Sequence, residues 1–273
     1  MQTLTSFEIQ EIARHLRKER LRTDWRDFPV ESKSRRHVPY LTQPELADLA
    51  GVSEAMLSQI ESCRYPNLNQ AVLRRICRAL KVDAPSETYV VKLLEEPTGI
   101  THAIDDLPAW TMATVDEAEP NPAVIINARF DILYWNSAAT RMLGDFSQAP
   151  PDARNVITSM YLVPDMRAAW ADWDNYVVHM VGGLKTQYAM LPEFRDRIME
   201  IVRLVGTVNS DFNQLWEDVD PMFGPAPEKD FIHPRVGLLR LYQTVSQIVG
   251  VPHLSLIQFA PRDPETAQAI RRL

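Results

Sequence analysis

Leu41-Thr42-Gln43-Pro44-Glu45-Leu46-Ala47, running through Gly51-Val52-Ser53-Glu54-Ala55 to Ser58-Gln59-Ile60-Glu61, decides how the first third of this chain folds. Thr42 and Glu45 have the spacing of a capping box, and Leu41 and Leu46 bracket them as a hydrophobic staple, so the start of a short helix is specified twice. That helix runs to about Leu49, where Gly51 can enter the left-handed region that ends it. Ser53 then caps a second helix, with Glu54 in the first turn where the helix N-terminus favours an acid. Two helices joined by so short a turn make a helix-turn-helix. On the second, Leu57 and Ile60 face inward, which turns Glu54, Ala55, Ser58 and Gln59 outward as candidates for reading base edges in a major groove. Arg64 just beyond joins the DNA-facing set, and Gln43 at the start of the first helix is placed to reach a phosphate. The same caps and glycine stop also fit any small helical hairpin.

The flanks favour the first reading. Thr5 and Glu8 cap an upstream helix with the stripe Ile9, Ile12, Ala13, Leu16. Downstream, Leu73, Ile76 and Leu80 form another, followed by Tyr89, Val90, Leu93 and Leu94. Five helices in about 95 residues make an all-α, repressor-like domain. With Leu-Thr-Gln-Pro-Glu-Leu-Ala, Ala-Gly-Val-Ser and Gln-Ile-Glu in place, the region resembles the XRE or phage-repressor-like helix-turn-helix family. It departs from that family at Cys63, where a glycine usually ends the recognition helix; a left-handed cysteine costs on the order of 1 kcal/mol, so a different local turn is expected. It departs also in the long segment from Arg22 to Tyr40, whose Arg35 and Arg36 are candidates for backbone phosphate contact and equally for a solvated loop.

At 273 residues the chain has room for a second domain. Net charge is -7, but unevenly spread: residues 1–82 carry 14 Lys and Arg against 10 Asp and Glu, the remainder 15 against 26. Only the N-terminal part suits nucleic acid, so double-stranded DNA is the expected partner. Cys63 and Cys77 make neither a disulfide framework nor a metal-ligand spacing, and no apolar run approaches the roughly 18 residues of a membrane span. A reduced, cytoplasmic protein away from the membrane is expected.

Glu95-Glu96-Pro97-Thr98-Gly99 breaks the helical pattern. The expected division is a helix-turn-helix domain over 1–96, a linker over 97–121, a second domain over 122–262 and a tail over 263–273. The second domain opens with two β-branched and aromatic stretches, Ala123-Val124-Ile125-Ile126 and Phe130 to Trp135, around a tight turn. Asn136 caps the helix Ser137 to Leu143, which Gly144 stops, an order similar to the opening of a PAS domain. Met166, Trp170, Trp173 and Val177 give one helical stripe, Phe194, Ile198, Ile201 and Val205 another, and Phe212, Leu215 and Trp216 a third. Leu238 to Val245 and Leu254 to Phe259 close the domain as strands. Its class is α+β, a PAS-like sheet with helices on one face, so the whole chain is a two-domain protein.

Tyr134-Trp135-Asn136, Gly144-Asp145-Phe146, Arg154-Asn155, Phe212 with Leu215-Trp216, and His233-Pro234 with Val236-Gly237 together resemble the ligand-binding domain of MmyB-like transcription regulators, over about 106–262. The segment ending Arg35-Arg36-His37-Val38-Pro39 is similar to that family's linker before its second helix. The chain departs at Glu217, near which the family has histidine, and at Ile232, where it has arginine. The resemblance implies a regulator whose sensor holds a small apolar molecule such as a fatty acid, with no resident cofactor. Six methionines (160, 166, 180, 190, 199, 222) suit an adaptable apolar cavity, while composition alone favours an ordinary core. About ten buried methylenes gain roughly 8 kcal/mol before entropic costs, so few polar contacts are needed. Arg154, beside Asn155, and Arg167 are the candidate cations for a carboxylate head. Tyr161, His179, His233 and, chiefly as a cap, Asn136 complete the ligand set. No phosphate loop, nucleophile elbow or helical metal motif is present, so an enzyme is not expected. A homodimer on a two-fold operator is expected, and a ligand-free dimerisation or docking module stays open for the second domain.

Overall fold

The computed structural model describes residues 6–29, 38–65, 67–96, 107–150, 153–163, 166–222, 227–251 and 253–273, which form two compact units, 1–98 and 99–273. Thr5, Arg35 and Arg36 lie outside the described residues. Among those described, no helix is long and apolar enough to cross a membrane.

The first unit is all helical: α1 (Ser6–Arg22), α2 (Gln43–Ala50), α3 (Glu54–Glu61), α4 (Gln70–Ala79) and α5 (Ala84–Lys92). Ile12, Leu16, Leu41, Leu46, Leu57, Leu73, Ile76 and Tyr89 are its fully buried core. The Thr42 N–H donates to Glu45 Oε2 at 2.8 Å, Gly51 is left-handed at φ 62°, and Ser53 Oγ accepts from the Met56 N–H at 3.1 Å. Cys63 adopts φ 60°. Its N–H reaches Ile60 O at 3.0 Å and the Arg64 N–H reaches Gln59 O at 2.7 Å, the closing bonds of a glycine-type helix end. The altered turn expected at Cys63 is therefore absent; the backbone keeps the left-handed geometry and the cysteine bears the strain. Sequence reading missed the tie across the first three helices. Buried Arg20 donates twice to Glu61, at 2.7 Å each, and once to Leu41 O at 2.9 Å.

The second unit comprises α6 (Ala109–Asp116), β1 (Ala123–Asn127), β2 (Ile132–Trp135), α7 (Ser137–Leu143), α8 (Val156–Leu162), α9 (Met166–Ala169), α10 (Trp173–Met190), α11 (Arg195–Val208), α12 (Ser210–Asp218), β3 (Glu228–His233), β4 (Gly237–Gln247), β5 (Leu254–Pro261) and α13 (Pro264–Arg271). Its strands form one antiparallel sheet in the order β2-β1-β5-β4-β3. Val124 stands opposite Ile257, which stands opposite Val245. On β3 and β4, Lys229, Phe231, His233, Leu239, Leu241 and Gln243 are buried while their neighbours face out.

Several expectations are corrected. The stretch 97–121 is not all linker, since α6 packs Val115 with Ala123, Ile125 and Leu254. Its apolar residues surround the helix without forming a stripe, which hid it. The tail 263–273 is α13, capped by Asp263, with Ile270 buried and packed on β4 and β5, so the second domain extends past 262. Helices are not confined to one sheet face: Ala123, Ile125 and Leu254 under α6 alternate with Val124 and Ile257 on the other side. The stripe from Met166 to Val177 is two helices, broken where Trp170 bridges Phe231 and stacks on Tyr176 at 4.1 Å. β3 was unread because its buried positions carry Lys229 and His233 while Ile232 faces out, the reverse of the usual alternation.

Replacing Cys63 by glycine relieves the left-handed strain at a position whose side chain is exposed. Cys63→Gly should raise the stability of the first unit by about 1 kcal/mol in urea unfolding, and an unchanged midpoint would mean the turn carries no strain.

Candidate ligand cavity and DNA-facing helix

On α3, Leu57 and Ile60 anchor the helix inward, and Glu54, Ala55, Ser58 and Gln59 are all exposed on the opposite side. Arg64 is exposed just past the helix end. Gln43 is placed differently from expectation: half-buried, it donates from Nε2 to Glu61 Oε2 at 2.8 Å, so its amide belongs to the Arg20–Glu61 network. Arg75 steadies the turn between the two helices by donating to Gly51 O at 3.0 Å, one of the carbonyls a helix end leaves unpaired.

In the second unit α10 lies over the buried sheet face, and two cavities adjoin beneath it. An inner chamber of about 60 Å³ is walled by apolar side chains including Val124, Met160, Met166, Trp170, Tyr176 and Phe259. An outer cleft of about 640 Å³ has a mixed lining that includes Asn127, Phe130, His179, Gln187, Lys229 and Ser255. Met180, Gln243 and Ile257 line both, so they form the partition between them. The outer cleft falls in the range of small-molecule sites, while the inner chamber needs its flexible methionines to move before it takes more than a few methylenes.

Most of the sequence-derived ligand residues do other work. Asn136 is buried and fully engaged: its Oδ1 accepts from the Ala123 and Ala139 N–H groups, and its Nδ2 donates to Val115 O and Asn121 O. Asn155, equally buried, donates to Arg129 O and Asp131 Oδ1 and caps α8 through the Ile157 N–H. Arg154 donates to Ala149 O at 2.9 Å and Ser147 O at 3.4 Å, over the Trp135 ring, and lines neither cavity. Arg167 is exposed over Trp173, in an open surface groove it shares with Asp172 and Asp174. Tyr161 packs edge-on against Trp173 and Phe212, and burial pushes its hydroxyl up to about 12. Asn136, Asn155, Arg154 and Tyr161 are structural supports that line neither cavity, and Arg167 lines only the separate surface groove. His179 alone of the set lines the outer cleft, with Nδ1 2.9 Å from Asn175 O. His233 is held between Arg141 O, 3.1 Å from Nε2, and the Arg235 N–H, which donates to Nδ1 at 3.2 Å. That pattern fixes a neutral ring bearing its proton on Nε2.

Lys229 and Gln243 are two of the cavity polar groups that sequence reading missed. Lys229 is 7% exposed, with Nζ 4.7 Å from the centroid of the Tyr176 ring, and burial holds its ammonium below the usual lysine range. Gln243 is 4% exposed and its buried Oε1 has no hydrogen-bond partner among the described residues. Lys229 shares its face of β3 with the buried Phe231, a signal that needs the strand and its register first. Among the described residues no group of His, Cys, Asp and Glu could hold a metal ion.

A family model described as the MmyB-like transcription regulator ligand binding domain matches residues 107–273, and one described as a helix-turn-helix domain matches residues 11–88. No curated protein matches the chain.

His233 generates a pH dependence. Burial first, and Arg235 after it, lower its pKa from 6.5 despite the Arg141 carbonyl. The unfolded chain therefore takes up the proton first as pH falls, so the contribution of the neutral ring to stability is complete above about 6.5 and is lost as pH drops below it toward the folded value. Thermal unfolding of the second unit should weaken from about pH 7 to about pH 5.5, and His233→Gln should flatten that slope. An equally steep slope in the variant would assign the effect to other groups.

Proposed function

We propose that this chain, which belongs to the MmyB-like transcription regulators, is a sequence-specific regulator whose sensor domain holds a fatty acid or similar apolar molecule beneath α10 and adjusts operator affinity accordingly. The observation that carries this reading is the divided cavity, an apolar chamber that shares Met180, Gln243 and Ile257 as a common wall with a cleft of ligand size. The order of the unit, hairpin, helices, then three strands, supports calling it PAS-like. The outward set Glu54, Ala55, Ser58 and Gln59 supports an XRE-type recognition helix in the major groove. Glutamine suits a bidentate contact to adenine.

The protein acts by binding rather than catalysis, in the cytoplasm, as a homodimer whose half-sites lie about 34 Å or a multiple apart. Ligand changes operator affinity by the ratio of its affinities for the DNA-competent and DNA-incompetent arrangements, and by reciprocity operator changes ligand affinity by the same factor. A ligand-free docking role for the second domain is favoured by one feature, the exposed Ile232, Leu238 and Tyr242 on β3 and β4. That surface and an occupied cavity are compatible.

Native mass spectrometry of the purified protein, with solvent extraction of whatever is released, tests the sensor reading. A stoichiometric adduct of fatty-acid mass is expected, and an unliganded mass that stays unchanged on adding fatty acids would replace the sensor with the docking role. On duplexes selected by the wild-type protein from a random library, Gln59→Ala should lose about tenfold or more in affinity while leaving the unfolding midpoint unchanged. Full retained affinity would remove Gln59 from the base-reading set.

A further inference from the structure

Lys229 sits on β3 opposite Leu241 of β4, and Gln243 follows two residues along on the same buried face. A lysine this deeply placed is ordinarily met by a carboxylate, because an unpaired buried charge is costly. Here the Nζ lies over the Tyr176 ring, and among the described residues no hydrogen bond or ion pair reaches it. Asp172, at the exposed start of α10, favours the charge through space without forming an ion pair. Among the described residues, a buried ammonium without an acceptor and a buried amide oxygen without a donor therefore share one face of the sheet. Both line the outer cleft, and Gln243 also lines the inner chamber.

The geometry points to Lys229 and Gln243 as the head-group anchor of an anionic amphiphile, whose carboxylate accepts from Lys229 Nζ in the outer cleft while its tail passes Met180 and Ile257 toward Trp170. This inference rests on the ligand reading above and adds to it the charge of the head group and the direction of the chain. Gln243 donates its amide N–H to the same carboxylate, and its oxygen gains the ammonium as a donor. The arginines do not compete for this role, since Arg154 is spent on two loop carbonyls and Arg167 lies in an exposed groove beside two acids. Met160, Met166 and Met180 supply the movement by which the inner chamber enlarges to take the tail.

Calorimetric titration of the delipidated full-length protein with dodecanoate and with dodecan-1-ol separates the parts of this account. Wild type should prefer the acid, and Lys229→Met should lose about tenfold or more in affinity for dodecanoate while its affinity for the alcohol stays unchanged. The same variant should unfold at a midpoint equal to or above wild type, because methionine replaces a buried charge with an apolar chain of similar length. An equal loss for both ligands, or undiminished dodecanoate binding in Lys229→Met, would overturn the anchor while leaving the sensor standing. Binding of neither compound to wild type would overturn the sensor reading and the anchor with it.

Discussion

An antiparallel sheet with a face to bury has to be covered along its width, and in the second unit the cover over the cavity is one long helix held at a fixed height. α10 is fastened on one flank by the segment from Val219 to Met222: Lys185 Nζ donates to Val219 O at 2.9 Å, the Met222 N–H donates to Gly182 O at 3.0 Å, and Thr186 Oγ1 donates to Met222 O at 2.9 Å. A Cβ at Gly182 would meet Met222 Cγ and lie 2.7 Å from Asp220 O, so only glycine admits this strap. Near the start of the helix, Tyr176 stacks on Trp170, which packs edge-on against Phe231 of the sheet. Braced at both places, α10 does not collapse onto the strands, and the space beneath it persists as chamber and cleft. The spacing of helix and sheet thus sets the size of the site before any ligand chemistry is considered.

Polarity within that space is graded. The chamber toward Trp170 and Phe259 is apolar, the cleft toward Asn127 and Gln187 is mixed, Gln243 stands where the two meet, and Lys229 lines the cleft. A site built only to bind a tail would have no use for a buried ammonium, and a site built only for a small anion would not back onto an aromatic chamber. In the first unit the corresponding constraint is the Arg20–Glu61 pair, which with Gln43 ties α3 to α1 and α2 through three Arg20 hydrogen bonds and one from Gln43, so the exposed side chains of α3 project from a braced support.

What was legible in the sequence followed local rules. Thr42, Gly51, Ser53, Asn136 and Gly144 mark helix ends through bonds made within a few residues, so spacing alone located α2, α3 and α7. The hairpin and the stripes of α11 and α12 were read for the same reason. What stayed hidden depended on partners distant in the chain. Arg20 and Glu61 are forty-one positions apart, and nothing near either names the other. Arg154 reads as a ligand cation from its neighbour Asn155, yet both residues are absorbed in holding loops. Lys229 reads as a solvent residue until β3 is known to place it on the covered face. Without that strand the lysine stays concealed, and with it a cation of the cavity.

The orientation of a bound chain is readable at Trp170. Trp170 lines the inner chamber, so fluorescence quenching by bromine-labelled dodecanoates reports where each end of the chain lies. Bromine at the terminal carbon should quench strongly, bromine beside the carboxylate weakly, and Trp170→Phe should abolish the difference between them. Equal quenching from both positions in wild type, or a difference that survives in Trp170→Phe, would contradict a tail lodged beneath α10.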